Sequence, residues 1–305
     1  MTFGAETTAA EAIAGIDLHG RTAVITGASG GIGLETARAF ASAGATVVLG
    51  NRRSDKSDKA VAELRASLPG ATIELGELDL TSLASVRAFA AWVLSQHDTI
   101  DLLINNAGVM ATPLERTADG FELQLETNHL SHFLLTRLLM PSLLRSASPR
   151  IVNLTSNGHG ISDIIWDDPN YRERPYNDWE SYGQSKTANV LFTTELQRRF
   201  GPQGVQSYAV HPGVVGTDLF RYLRDEAQAQ LDRRIAKANI ALKTPEQGAS
   251  TSVWAATAPE LKDQGGSYLE DCQISDKFSP YAKDPAAAQR LWAMSEEMVG
   301  EPFPA

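Results

Sequence analysis

Along most of the chain, short β-branched runs alternate with longer stretches of helical period, the pattern of a parallel sheet covered on both faces. Segments 22–26, 46–49, 73–78, 101–105, 150–154 and 205–210 read as six strands. Helices are expected between them at 34–42, 58–68, 82–96, 130–140 and 181–200. In the third of these, Val86, Phe89, Ala90 and Val93 recur at helical spacing. The 130–140 run is nearly all apolar and is expected to be buried, with Pro141 marking its end. The last third is less regular. Segment 218–242 is mixed and charged, with helical character, and Thr244-Pro245-Glu246 is a second helix start. A final strand is expected at 268–269 and a final helix at 285–298. No internal repeat or linker divides the chain, so one domain over 19–305 is expected behind an N-terminal leader, 1–18.

Composition narrows the class. Hydrophobic residues make up 43% of 305 positions, enough to bury a sizeable core. The net charge of −10 carries no basic cluster and disfavours nucleic-acid and membrane-surface partners. Cys272 is the only cysteine, which excludes an internal disulfide and fits a reducing cytoplasm. The leader carries Glu6, Glu11 and Asp17 without Lys or Arg, unlike a secretory signal, and is expected to pack loosely.

The first candidate chemistry follows the first strand. Thr26-Gly27-Ala28-Ser29-Gly30-Gly31-Ile32-Gly33 stands between a strand and a helix. Its glycines let the backbone turn sharply and approach a pyrophosphate, and the helix N-terminus offers unpaired N–H groups and a positive dipole end. Placed at the start of a βαβ pattern, the loop reads as a dinucleotide site. The fold class is therefore α/β, a single-domain Rossmann-type doubly wound parallel sheet with helices on both faces. An NAD site would place an acid at the end of strand two, and here Asn51-Arg52-Arg53 stand instead. A guanidinium suits a ribose 2′-phosphate, so the residues favour NADP(H) over NAD(H), the alternative being a solvated pair at a strand exit.

Tyr182-Gly183-Gln184-Ser185-Lys186 adds a second constellation. With it the chain, over roughly 20–272, resembles the short-chain dehydrogenase/reductase family. Within that family it is similar to the branch holding retinol dehydrogenases and WW-domain-containing oxidoreductases. Asn105-Asn106-Ala107-Gly108-Val109-Met110, Ser185-Lys186-Thr187-Ala188-Asn189-Val190 and His211-Pro212-Gly213-Val214-Val215 carry that likeness. The resemblance implies cofactor contacts from Gly27, Ser29, Gly31, Ile32 and Gly33, and from Asp79 with Leu80 at the adenine. It adds Asn106, Ala107 and Gly108 beside the adenine ribose, and Pro212, Gly213, Val215 and Thr217 at the nicotinamide. Arg52 stands where NADP-preferring members carry their arginine. The implied catalytic residues are Asn128, Ser156, Tyr182 and Lys186, with Tyr182 and Lys186 also touching the cofactor. Asn128 is implied to position a water that links Lys186 to solvent.

The residue types support part of this independently. A free phenol has a pKa near 10, and a neighbouring ammonium pulls it toward working pH. Tyr182 and Lys186 are four apart, so on a helix they share a face about 6 Å apart along the axis. The resemblance, rather than spacing, implies that Ser156 hydrogen-bonds the substrate oxygen as part of an oxyanion site. The expected activity is interconversion of a ketone or aldehyde with an alcohol on an apolar small molecule. The alternatives are an NADP(H)-sensing binding protein and a nucleotide-sugar epimerase or dehydratase.

Tyr182 follows Ser156 by 26 positions, a longer interval than in the commonest members. The insert is rich in aromatics and prolines, and the pocket wall is expected over 157–180 and 217–243. Val109, Met110, Leu219, Phe220, Tyr222 and Leu223 are candidate lining, each of which could equally be core. No metal is expected, because His129 and His132 lack a Cys or paired acid to complete a ligand set. Homodimer or homotetramer contacts are expected through the 130–140 and Tyr182 helices, whose surface could also be core.

Overall fold

The computed structural model describes residues 3–217, 219–220, 233 and 241–303. The charged segment expected at 218–242 falls almost wholly outside them, as do the candidate lining residues Tyr222 and Leu223.

All six expected strands form one sheet. They are β1 (Thr22–Thr26), β2 (Thr46–Asn51), β3 (Ile73–Glu77), β4 (Leu102–Asn105), β5 (Arg150–Leu154) and β6 (Gln206–His211), followed by β7 (Tyr268–Glu270) and β8 (Gln273–Ile274). The order is β3-β2-β1-β4-β5-β6-β7-β8, parallel except for β8. Ile25 of β1 registers with Leu49 of β2 and Ile104 of β4. Side chains alternate between faces. Ile25, Leu49 and Ile104 point to one core, and Val24, Val48 and Leu103 to the other.

The first core is closed by α1 (Ala9–Ile13), α2 (Gly31–Ser42), α3 (Asp55–Ser67) and later α8 (Pro245–Thr257). The second is closed by α4 (Leu83–Gln96), α6 (Ser131–Leu143), α7 (Asp178–Phe200) and α9 (Pro285–Val299). The helix of three residues, α5 (Leu123–Leu125), runs into α6 through a π-helical turn at Glu126–Leu130. The doubly wound sheet is as expected.

Two local features differ from expectation, and a third decides between two readings. The leader does not pack loosely. Thr8 and Glu11 form a capping box for α1, and Ala9, Ala12, Ile13 and Leu18 are buried in the first core. Pro141 does not end α6, which runs two residues further. Leu139, Met140 and Leu143 are fully buried around it, and Ser142 Oγ donates to the Asp98 carbonyl at 2.5 Å, so packing outweighs the lost backbone bond.

The third feature concerns the faces considered for self-association or for core. Trp292 of α9 is buried against Phe133 of α6, with centroids 5.1 Å apart, and against Phe192 of α7 at 5.8 Å. Phe303 stacks on Trp292 at 4.3 Å, and the Arg199 guanidinium lies 4.5 Å from the indole. These apolar sides of α6 and α7 are core, covered by the chain's own C-terminal helix. Among the described residues no helix is long and apolar enough to cross a membrane.

Candidate active site

The candidate residues gather where the carboxyl ends of β1, β4, β5 and β6 meet α7, the crevice such a sheet leaves for a ligand. Thr26 closes β1, and its hydroxyl organises the neighbouring strand. Asn106 N and Ala107 N both donate to Thr26 Oγ1, at 3.0 and 3.1 Å, and Asn106 Nδ2 donates to the Thr26 and Gly27 carbonyls. Thr26 Oγ1 lies 2.9 Å from His132 Nε2, and His132 Nδ1 lies 3.1 Å from the Asn128 carbonyl. Because a carbonyl only accepts, His132 carries its proton on Nδ1 and accepts the Thr26 hydroxyl at Nε2.

The glycine loop fits a dinucleotide. A Cβ at Gly33 would lie 2.5 Å from both Asn106 Nδ2 and the Gly27 carbonyl oxygen, so only glycine lets the loop close on β4. Gly31 has a φ of +56° and faces the Thr217 methyl, which brings the Pro212–Thr217 turn against the loop. No side chain caps the start of α2, whereas Ser54 and Ser82 cap α3 and α4. The first-turn amides of α2 thus suit an anion. Ser29 and Ile32 are half-buried in the same loop.

The end of β2 divides its roles. Asn51 is buried and its Oδ1 accepts Ala28 N at 2.7 Å, so this side chain holds the glycine loop. Arg52 is exposed, and Arg53 pairs with Glu77 at 3.1 Å across open surface. Lys56, which sequence reading missed, lies over the loop. Its Nζ is 3.4 Å from where a Gly30 Cβ would stand. Only the first turn of α3 returning over the loop reveals it, and no motif marks that. Asp79 is half-buried after β3 and its Oδ1 accepts Thr81 N and Oγ1; Leu80 beside it is buried.

On the other side, Tyr182 and Lys186 share one face of α7 and are nearly fully buried. Lys186 Nζ is 5.7 Å from the Tyr182 ring centroid and donates to the Leu154 carbonyl at 3.2 Å, at the end of β5. Ser156, just past that strand, hydrogen-bonds the Tyr182 side chain. Gly108 faces both Asn128 Oδ1 and Lys186 Nζ. Asn128 sits in the π-helical turn with its amide clamped on Val109: Oδ1 accepts Val109 N at 2.8 Å and Nδ2 donates to Val109 O at 2.9 Å. A further bond from Nδ2 reaches Ser185 Oγ on α7.

Burial sets the electrostatics. It pushes the Tyr182 phenol up to about 12, against a smaller lowering by the Ser156 hydrogen bond, and pulls the Lys186 ammonium down to about 8. The lowering of the phenol expected from its lysine neighbour is not seen: burial dominates, only Ser156 acts against it, and Tyr182 is held protonated.

The apolar wall beside Tyr182 is made of Met110, Ala111, Trp179, Leu219 and Phe220. The insert divides around it. Gly158 touches the Tyr182 ring and Trp179 joins the wall, while the middle of the insert covers the Gln184 face of α7. There Gln184 accepts Ile165 N and donates to the Pro169 carbonyl, both at 2.9 Å. A groove of about 980 Å³ opens along this outer side, past Trp166 and Tyr176. Pro212 and Gly213 follow β6, and Lys243 packs its stem over Gly213 while pairing with Asp271 at 2.5 Å. Val215 is bridged to Lys243. Among the described residues no group of three His, Cys, Asp or Glu side chains could hold a metal ion.

Comparison with known proteins places this geometry. The family model described as short chain dehydrogenase matches residues 21–228. Human retinol dehydrogenase 13 is 40% identical over 93% of this chain and 86% of its own length. The short-chain dehydrogenase/reductase prx1 of Penicillium roqueforti is 39% identical, covering 90% and 84%. A solved structure of an uncharacterised Mycobacterium paratuberculosis protein matches with a TM-score of 0.77 and 36% identity, over 96% of this chain and 98% of that one. A Beutenbergia cavernae chain assigned as an NAD(P)-dependent gluconate 5-dehydrogenase, with NADP bound at low occupancy, matches with a TM-score of 0.66 and 28% identity, over 84% and 96%.

Proposed function

Because the chain belongs to the short-chain dehydrogenase family of nicotinamide-dependent oxidoreductases, we propose that it uses NADP(H) to interconvert a ketone or aldehyde with an alcohol on an apolar small molecule. The observation that carries this reading is the buried Tyr182–Lys186–Ser156 group opening onto an apolar wall beside the glycine loop. NADP(H), when bound, supplies or accepts the hydride. The first-turn amides of α2 would hold its pyrophosphate, and Arg52 with Lys56 its 2′-phosphate.

The rest is the work of this chain's side chains. In reduction, Tyr182 donates its phenolic proton to the substrate oxygen, since burial keeps it protonated at neutral pH. Ser156 donates a second hydrogen bond to that oxygen and so stabilises the developing negative charge. Lys186 stabilises the phenolate left behind and is itself poised near neutrality. Asn128 fixes the β4 loop against α7, which holds Lys186 in register. The apolar wall excludes water from the reacting carbon.

Two results are expected. Arg52→Asp raises the Kd for NADPH at least about tenfold and leaves that for NADH nearly unchanged, because it removes a charge-assisted contact to the 2′-phosphate. Fluorescence titration with both nucleotides measures it, and equal weakening of the two would contradict the assignment. Gly158→Ala lowers turnover about a hundredfold with NADPH affinity intact. Its Cβ would stand 2.5 Å from Tyr182 Cε1 and 3.4 Å from Ser156 Oγ, so the ring or the Ser156–Gly158 backbone must shift and the two groups lose their alignment. Steady-state kinetics beside a nucleotide titration test this.

A further inference from the structure

We propose that Gln124 is a specificity-determining positioning residue, which fastens the insert to the strained Met110–Thr112 loop and so sets the apolar wall over Tyr182. The inference rests on the oxidoreductase reading of that pocket and adds a residue and a purpose for the insert.

Ala111 has a φ of +48°, a left-handed conformation that a residue with a Cβ holds only when its surroundings impose it. That backbone places Met110 and Ala111 against Tyr182, Trp179, Leu219 and Phe220. The imposing contact comes from Gln124 of α5, which is fully buried. Gln124 Oε1 accepts Ala111 N at 2.9 Å, and Nε2 donates both to Tyr176 Oη and to the Asp178 carbonyl, each at 2.9 Å. Every hydrogen-bonding direction of the amide except one carbonyl lone pair is used, and a flipped amide would set donor against donor at Ala111. The orientation is therefore unique.

Its partners join three segments. Asp178 opens α7, the helix that carries Tyr182 one turn later. Tyr176 belongs to the insert, and its hydroxyl lies 3.0 Å from both the Thr112 carbonyl and Glu122 Oε1. Since Tyr176 Oη accepts from Gln124, its single proton serves one of these two. The insert is anchored again where Glu122 N donates to Asn170 Oδ1 at 2.9 Å, and where Arg116 donates to the Asn170 and Tyr171 carbonyls. The middle of the insert lies on the far face of α7, so it bears on the substrate through this amide. Released from Gln124, Ala111 relaxes and Met110 leaves the wall. A long apolar substrate that leans on the wall loses more than a short one that does not reach it.

The test uses the full-length protein with Gln124→Leu and, as a milder variant, Tyr176→Phe, which keeps the ring that packs 5.0 Å from Tyr171. Hydrogen exchange at the peptide containing Ala111 is read by mass spectrometry, and reduction of propanal and decanal is followed with NADPH. Gln124→Leu is expected to speed exchange at that peptide about tenfold and to lower kcat/KM for decanal about tenfold, mainly through KM. Propanal turnover and NADPH affinity stay within about twofold. Tyr176→Phe gives smaller changes in the same directions. Unchanged exchange in both variants, or equal losses for the two aldehydes, overturns the proposal. If the parent protein reduces neither aldehyde, the oxidoreductase reading of the pocket fails, and the specificity role falls with it even where exchange rises.

Discussion

Tyr182→Phe is expected to lower NADPH-dependent carbonyl reduction at least about a hundredfold while NADPH still binds. The substitution removes the phenolic proton that Tyr182 holds beside Ser156. It leaves the ring, which packs against Met110 and Ala111, and it leaves Lys186 in place on the Leu154 carbonyl. The burial that pushes the phenol up to about 12 means that the parent enters the reaction protonated across the neutral range. The variant should therefore fold and bind nucleotide as the parent does and fail only at the chemical step. Rates measured at saturating NADPH make the comparison. A variant that retained more than a tenth of the parent rate would show that another group protonates the substrate.

The second large effect is on stability in acid. Burial holds the imidazoles of His129, His132 and His211 neutral, at about 3, about 4 and about 4. His129 lies among Phe133 and Phe192, with its Nε2 on Ser295 Oγ. His132 is committed to Asn128 and Thr26. An unfolded histidine takes its proton near pH 6.5, well above these folded values. The stability they contribute is thus present above pH 6.5 and is lost as the pH falls toward 4. Between those limits unfolding takes up as many as three protons, a slope of about 4 kcal/mol per pH unit. Urea midpoints measured from pH 7.5 to 5 should fall steeply below 6.5, and a flat profile across that window would contradict the burial of these rings as neutral groups.

Much of this architecture was legible because its signals are local. Apart from β3 and the strands after β6, the strands are short apolar runs buried on both faces, and the glycine loop declares itself by standing between β1 and α2. Tyr182 and Lys186 could be paired from spacing alone, since four residues on a helix share a face. What escaped is what depends on a neighbour remote in sequence. Periodicity marks an apolar stripe on α6 but does not say that Trp292 covers it. Five residues of leader carry too little pattern to announce a docked helix, and two residues of β8 carry none. Asn51 looked like a ligand contact at a strand exit, whereas the fold turns it inward to Ala28. Lys56 reaches the glycine loop only because α3 starts beside it, and the Gln124–Tyr176 contact spans 52 positions. The π-helical turn that carries Asn128 has no sequence signature comparable to a cap or a glycine.

The most direct test of the central claim is a titration of the purified protein with NADPH and NADH, followed by the absorbance loss of NADPH with decanal in parent and Tyr182→Phe proteins. The account predicts tighter binding of NADPH and stoichiometric consumption of it by the parent, with loss of turnover in the variant. Failure to bind either nucleotide, or equal consumption by parent and variant, would contradict it.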